Sequence, residues 1–266
     1  MAKTLRYVTS SDGIYVRSSA AGSIVRSIIE GTLLIYDSTN KPVKKALSGT
    51  TYTWIKVTYY YEGPNDAYLE TTEATGWVAQ ENTALVSSDT PSKDFVYSNN
   101  KSLSQNKRLA NARYIHNYLR SLSSSKRWTS NAICAMLGNM EAESGINPGS
   151  WQVLNDTSQG FGLVHWTPAT KFINALSPGE NKTDIDVQLK RILSEVDENP
   201  SQWVSTEHSP TMSFKSFTQS SKTIEVLAEY FLRCYEMPEV INSKVVAERQ
   251  RDALKWNVLL SVVGDI

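Results

Sequence analysis

The apolar residues of this chain change their period near residue 105, and that change limits what it can fold into. Before it they come in short runs rich in β-branched and aromatic side chains: Ile14-Tyr-Val-Arg17, Leu33-Leu-Ile-Tyr36, Tyr52-Thr-Trp-Ile-Lys-Val57 and Gly76-Trp-Val-Ala79. Gly, Asn, Asp and Ser punctuate these runs, and Trp54 to Val57 alternate as a half-buried strand does, so a small antiparallel barrel is expected. Beyond the change, Leu109, Ala112, Ile115, His116, Leu119 and Leu122 recur at three- and four-residue steps. Ile133, Met136, Leu137 and Met140 form a second helical stripe, capped by Thr129 and stopped by Gly145 and Pro148. Further helices fit 184–197, 223–236 and 242–260. Between Asn147 and Trp166 lies a Gly-rich stretch that reads as loops with a small hairpin. Ser87 to Gln105 is polar apart from Phe95-Val-Tyr97, as in a linker pinned at one point. The expected organisation is a β domain over 1–88, a linker over 89–105 and a mostly α domain over 106–266.

Composition narrows the function classes. The 266 residues suffice for two ordinary domains. Lys+Arg and Asp+Glu are equal at 27 each, which argues against nucleic acid as a partner held by a general basic excess. No run approaches the roughly 20 apolar residues needed to cross a bilayer, so membrane insertion is not expected. Cys134 and Cys234 fall within apolar helical patterns and form no C-x-x-C pair. Buried free thiols are expected there, with a 134–234 bridge as the alternative. His116, His165 and His208 are scattered without metal-ligand spacing, so neither a metal nor another cofactor is expected.

The chemistry concentrates in Glu141-Ala-Glu-Ser-Gly145, which puts two carboxylates at the C-terminal end of an apolar helix. The negative end of the helix dipole and poor solvation both disfavour ionisation there. A carboxylic acid kept protonated near neutral pH can protonate a leaving oxygen, as glycoside cleavage requires. Glu141 and Glu143 lie on opposite borders of the stripe, and periodicity does not choose between them. Asp156 follows 13 residues after Glu143, and then comes Gly160-Phe-Gly-Leu-Val-His-Trp166. Gly160 and Gly162 would let a sugar chain lie close to the backbone, and Trp151 and Trp166 offer flat apolar faces for sugar rings.

These motifs resemble those of the lysozyme-like superfamily, in particular goose-type lysozymes and related transglycosylases. Leu137-Gly-Asn-Met-Glu-Ala-Glu-Ser-Gly-Ile-Asn-Pro-Gly149, Gly160-Phe-Gly-Leu-Val-His-Trp-Thr-Pro168 and Tyr230-Phe-Leu-Arg-Cys-Tyr-Glu-Met-Pro238 are closer still to phage tail lysozymes. The resemblance covers about 107–260. It implies a lysozyme-like α domain that cuts the β-1,4 bond between N-acetylmuramic acid and N-acetylglucosamine, with Glu143 as acid and Asp156 activating water. It also implies that Gly160, Phe161, Gly162, His165, Trp166, Trp151 and Tyr230 line the substrate cleft, with Tyr235 as a further candidate to hold the acid or a sugar. Two departures stand out. His165 replaces the superfamily's Gln, and Thr167 stands where goose-type enzymes can carry a second acidic residue.

In the first half, Ile14-Tyr-Val-Arg-Ser18, Glu30-Gly-Thr32, Trp54-Ile-Lys-Val57 and Thr75-Gly-Trp-Val78 resemble the bacterial SH3-like (SH3b) domain. The long segment from Thr58 to Thr75, with Tyr68, departs from its pattern. That resemblance implies a cell-wall-binding module; Trp54 and Trp77 are expected in the core, because large aromatics dominate small cores. Alternation along a strand should leave at least one of Tyr59, Tyr60 and Tyr61 exposed as a ligand contact. The start, Met1 to Val8, lacks the apolar run of a secretory signal. A chain made in the cytoplasm would then reach peptidoglycan through lysis, holin-type release or packaging in a virion beside other phage tail proteins. Three readings stay open: a lysozyme, either endolysin or tail-associated; a lytic transglycosylase on the same bond; and a non-catalytic wall-binding structural component of a phage.

Overall fold

The computed structural model describes residues 3–61, 72–89, 92–197, 202–205 and 211–266, so Tyr68 and His208 lie outside the described residues. The chain divides into two compact units. One comprises Met1–Asp89 with Ser104–Lys107 and Leu259–Asp265, and the other Thr90–Leu103 with Arg108–Val258 and Ile266.

The first unit is a strand-rich half-barrel. Its strands are β1 (Lys3–Val8), β2 (Ile14–Arg17), β3 (Ile24–Ile28), β4 (Leu33–Asp37), β5 (Val43–Leu47), β6 (Thr50–Tyr61), β7 (Thr72–Ala79) and β8 (Thr83–Leu85). They form one sheet in the order β3-β2-β7-β6-β4-β1-β8, with β5 paired on β6. The four runs legible in the sequence are β2, β4, β6 and β7. The others carry weaker patterns: β5 is mostly exposed, and β3 exposes Ile24 and Val25. Val8, Ile14, Val16, Leu34, Ile55, Val57, Tyr59 and Val78 make the core of the unit. Trp54 is buried in a second cluster with Ala20 and Ala79, and Trp77 packs half-buried against it.

The tyrosine run corrects the expectation of an exposed ring. Tyr59 points into the barrel core, Tyr60 is buried on the opposite face with its hydroxyl donating to Glu73, and Tyr61 is half-buried. The Arg26 guanidinium lies 3.5 Å from the Tyr61 ring centroid. Alternation does put neighbours on opposite faces, but none of the three rings at this end of β6 is exposed.

The second unit is helical, built from α1 (Gln105–Ser121), α2 (Ser130–Ser144), α3 (Thr170–Ile173), α4 (Ile185–Asp197), α5 (Phe214–Thr218), α6 (Ile224–Phe231) and α7 (Ser243–Val263), apart from the first three residues of α1 and the last five of α7, which belong to the first. Helix α6 runs on into a π-helical segment, Leu232–Glu236. Every residue of α2 from Ala132 to Glu141 is buried, so this is a central helix rather than one with a single apolar stripe. Gly138 makes that possible, since a Cβ there would stand 2.5 Å from the Ala253 nitrogen and 2.7 Å from the Arg249 carbonyl oxygen. Helix α7 therefore runs directly against α2. Trp128, Trp203, Phe214, Phe217, Phe231 and Tyr235 stack into an aromatic cluster. Cys134 and Cys234 are both buried as thiols, with no disulfide between them.

Of the polar stretch read as a linker, residues 92–103 belong to the helical unit. The Tyr97 amide donates to Asn111 Oδ1, and Asn111 Nδ2 donates back to the Tyr97 carbonyl. Lys93 Nζ sits 2.7 Å from Asp184 and 2.9 Å from Asp186. The hairpin expected between Asn147 and Trp166 is reduced to two isolated bridges, Trp151 with Phe161 and Phe161 with Trp166.

Candidate active site

Helix α2 delivers two glutamates to its C-terminal turn and then stops sharply. Thr129 caps its start by accepting from the Ala132 amide. At its end Gly145 takes a left-handed conformation (φ 63), and its amide reaches back to the Glu141 and Met140 carbonyls. The Ser144 hydroxyl donates to the Leu163 carbonyl at 2.7 Å, tying the following loop to the helix end. Gln188 of α4 secures the same loop. Its Oε1 accepts from the Leu163 amide, and its Nε2 donates to the Pro148 and Lys182 carbonyls. Gly162 is left-handed (φ 84), and a side chain there would strike Gln188 Oε1 at 2.8 Å.

The two glutamates then part company. Glu141 is 3% exposed, and its Oε1 receives both Arg108 Nη1 at 2.7 Å and Lys255 Nζ at 2.8 Å. Burial pushes its pKa up, but the two cations and their hydrogen bonds outweigh burial and hold it below the usual carboxylate range. Glu143, with 22% of its side chain exposed, takes a single cation, Arg249 Nη2, at 2.7 Å. Here burial wins over Arg249, and the carboxyl is raised. His165 faces the other oxygen, with Nδ1 4.0 Å from Glu143 Oε2, while its Nε2 shares a hydrogen bond with Ser150 at 3.0 Å. Burial pushes the His165 pKa down to about 4, so the imidazole is neutral at pH 7.

The remaining expected residues take varied places. Phe161 is fully buried between Trp151 and Phe172, and Trp166 stacks on Phe172 with its indole N–H donating to Glu195. Both are core residues, which corrects the expectation that Phe161 lines the cleft and that Trp166 offers a face to a sugar ring. Trp151 is half-buried under Lys182 Nζ, 4.8 Å from its ring centroid. Gly160 is buried by close packing, since a Cβ there would meet the His165 Cβ at 2.9 Å. Tyr235 is buried, with its hydroxyl on Glu195, whereas Tyr230 stays half-buried. Asp156 lies in a turn and accepts from the Ser158 amide at 2.9 Å and its hydroxyl at 2.6 Å, which keeps it ionised and below the usual range.

The sequence reading missed Arg249, Glu236 and Glu195. Glu195 accepts from Trp166 and Tyr235 and pairs with Arg191 Nε at 2.9 Å. A signal for Arg249 was present. Glu248, Arg249, Asp252 and Lys255 recur at helical spacing and are all buried, forming a charged stripe beside the apolar Ala253, Trp256 and Leu260. Glu236 closes the π segment, a local form frequent at functional sites.

Residues 110–260 match the family model described as phage tail lysozyme. A protein named Morphogenesis protein 1, from Bacillus phage B103, is 49% identical over 171 residues, which cover 63% of this chain and 44% of that protein. The chain thus matches less than half the length of that relative. A family match spanning α2, the following loop, the π segment and most of α7 includes every residue of the Glu143 cluster, and the chain belongs to the phage tail lysozyme family.

Proposed function

We propose that the chain hydrolyses the β-1,4 bond between N-acetylmuramic acid and N-acetylglucosamine in peptidoglycan, with Glu143 as the proton donor. The observation that carries this reading is the contrast within one helix turn. Glu141 is sealed and neutralised by two cations, whereas Glu143 is partly open to solvent with its carboxyl raised by burial. In the reaction Glu143 gives its proton to the glycosidic oxygen as the bond to the sugar C1 breaks. A water molecule adds at C1 and passes a proton to the Asp156 carboxylate. Exchange with solvent then restores both groups. With a pair spaced about 6.5–9.5 Å apart to admit water, the anomeric configuration inverts.

One observation favours a second reading. Asp156 uses its carboxylate on Ser158 in its own turn. A lytic transglycosylase needs no second carboxylate, because the sugar's own C6 hydroxyl attacks C1, returns its proton to the Glu143 carboxylate and yields a 1,6-anhydro end. The half-barrel would serve as an SH3b-like wall-binding module. The family described as phage tail lysozyme and the morphogenesis name of the phage relative fit other phage tail proteins as partners. The test is the clearing of purified cell walls by this protein and by its Glu143→Gln variant. Clearing by the parent and none by the variant supports the reading, and equal clearing by both refutes it.

A further inference from the structure

The two oxygens of the Glu143 carboxyl meet different neighbours. Oε1 accepts from Arg249 Nη2 at 2.7 Å. Oε2 faces His165 Nδ1 at 4.0 Å, and no donor among the described residues bonds to it. An ionised carboxylate frequently draws a guanidinium into a two-pronged contact. Here the contact is single, and Arg249 Nε and Nη1 are buried without a hydrogen-bond partner among the described residues. One oxygen that accepts and one that meets no donor is the pattern of a protonated carboxyl, whose O–H needs an acceptor. His165 is held on that side. Its Nε2 shares a hydrogen bond with Ser150 Oγ at 3.0 Å. The Ser150 carbonyl accepts from the Gly162 amide, and the His165 amide donates to the Gly162 carbonyl. His165 is left-handed (φ 43), which is uncommon outside glycine and clusters at active sites. Gly160 leaves room for it, since a Cβ there would stand 2.9 Å from the His165 Cβ.

We propose that His165 is a positioning residue for the acid: its Nδ1 accepts the Glu143 proton and fixes it on Oε2, while its Nε2–H donates to Ser150. This rests on the assignment of Glu143 as donor. A carboxyl proton can sit on either oxygen, but on Oε1 it would meet the Arg249 N–H. An acceptor on the other side gives the proton one location, from which it passes to the glycosidic oxygen as the bond to C1 breaks. At 4.0 Å the contact is longer than a hydrogen bond, and contacts of this kind tighten when substrate fills the site. The opposite tautomer would turn an N–H towards Oε2 and favour the ionised carboxyl, which has no proton to give. Burial lowers the imidazole to about 4 and raises Glu143, so the shared proton stays with the carboxyl.

Nitrogen NMR of protein labelled in its histidine rings reads the tautomer without any reaction. The chain has 3 histidines, and the signals lost in His165→Gln identify His165. In the parent near neutral pH its Nε2 should carry the proton and its Nδ1 should be bare. A proton on Nδ1 would overturn the proposal. The kinetic arm is cleavage of solubilised glycan strands by the parent, His165→Gln, His165→Leu and Glu143→Gln. Gln and Leu meet the same backbone penalty at this left-handed position, and only the Gln amide oxygen can replace Nδ1 as acceptor. His165→Leu should lower kcat about tenfold with KM within about twofold of the parent, whereas His165→Gln keeps kcat within about threefold. A residue of purely structural importance would lower both variants alike. Equal kcat in the two, or a loss in His165→Leu confined to KM, would overturn the proposal. With Glu143→Gln inactive, that result leaves the Glu143 assignment intact. Activity in Glu143→Gln would overturn the assignment itself. If His165→Leu does not fold, Ser150→Ala decides, because the ring then loses its anchor. Its kcat should fall about threefold or more, and a kcat equal to the parent's overturns the proposal.

Discussion

Glu141 and Glu143 stand two residues apart at the end of α2, and their surroundings use charge in opposite ways. Around Glu141, α1 contributes Arg108 and α7 contributes Lys255, and one carboxylate oxygen binds both cations in a space closed to solvent. Around Glu143, α7 contributes Arg249, with a neutral His165 across from it. Both glutamates share one helix end and its dipole. The dipole by itself would disfavour ionisation of both, yet Glu141 is held below the usual range and Glu143 above it. Neighbours supplied by other helices therefore set which carboxyl is raised, and the close approach of α7 at Gly138 brings in those from α7.

The largest expected effect is on the open side of the comparison. Glu143→Gln should reduce reducing-end release by about 100-fold or more, the usual loss for a missing general acid, while thermal unfolding stays near that of the parent. Comparable rates for parent and variant would erase the distinction between the two glutamates. On the closed side the effect moves from activity to stability. Glu141→Gln leaves two buried cations short of a counter-ion and should cost about 3–5 kcal/mol in urea unfolding, with activity per folded molecule reduced far less. The pH dependence sharpens this. The depressed pKa of Glu141 contributes stability above the unfolded carboxylate value of about 4.3 and loses it as pH falls through the folded value. The variant should therefore lose less stability than the parent on acidification. Asp156→Asn should remove most but not all activity, about tenfold, because Glu143 still protonates the leaving oxygen while unassisted water attacks slowly. A rate equal to the parent's would take the water-activating role away from Asp156.

The smallest effect belongs to His165. With a neutral amide in place of a neutral imidazole, His165→Gln should change the rate by less than about threefold near pH 7. Its signature is in stability. The folded imidazole binds its proton only near pH 4, whereas the unfolded one does so near 6.5. Between those values the unfolded state holds more protons, so parent stability rises with pH across that window. His165→Gln should flatten the rise, as followed by melting temperature from pH 4 to 6.5.

Much of the fold was legible because it rests on local periodicity. The four strongest strand runs, the Thr129 cap and the Gly145 stop all appear where alternation, cap chemistry and glycine placed them. Strands β3 and β5 were not legible, since their side chains are largely exposed and carry no apolar pattern. At the site, the Glu141–Glu143 pair was visible but the choice between them was not, because it depends on Arg108, Lys255 and Arg249, distant in sequence. Phe161 and Trp166 misled for a related reason. An aromatic in a Gly-rich loop reads alike whether it faces a sugar or the core, and only the tie of Trp166 to Glu195 on α4 turns it inward.

Product analysis tests the central claim most directly. Purified peptidoglycan digested by the parent protein and resolved by mass spectrometry should yield glycan fragments ending in reducing N-acetylmuramic acid. Fragments ending in 1,6-anhydro sugars would replace hydrolysis by transglycosylation and leave Asp156 without a role. Intact strands after exhaustive digestion would contradict the assignment of Glu143 as a catalytic acid.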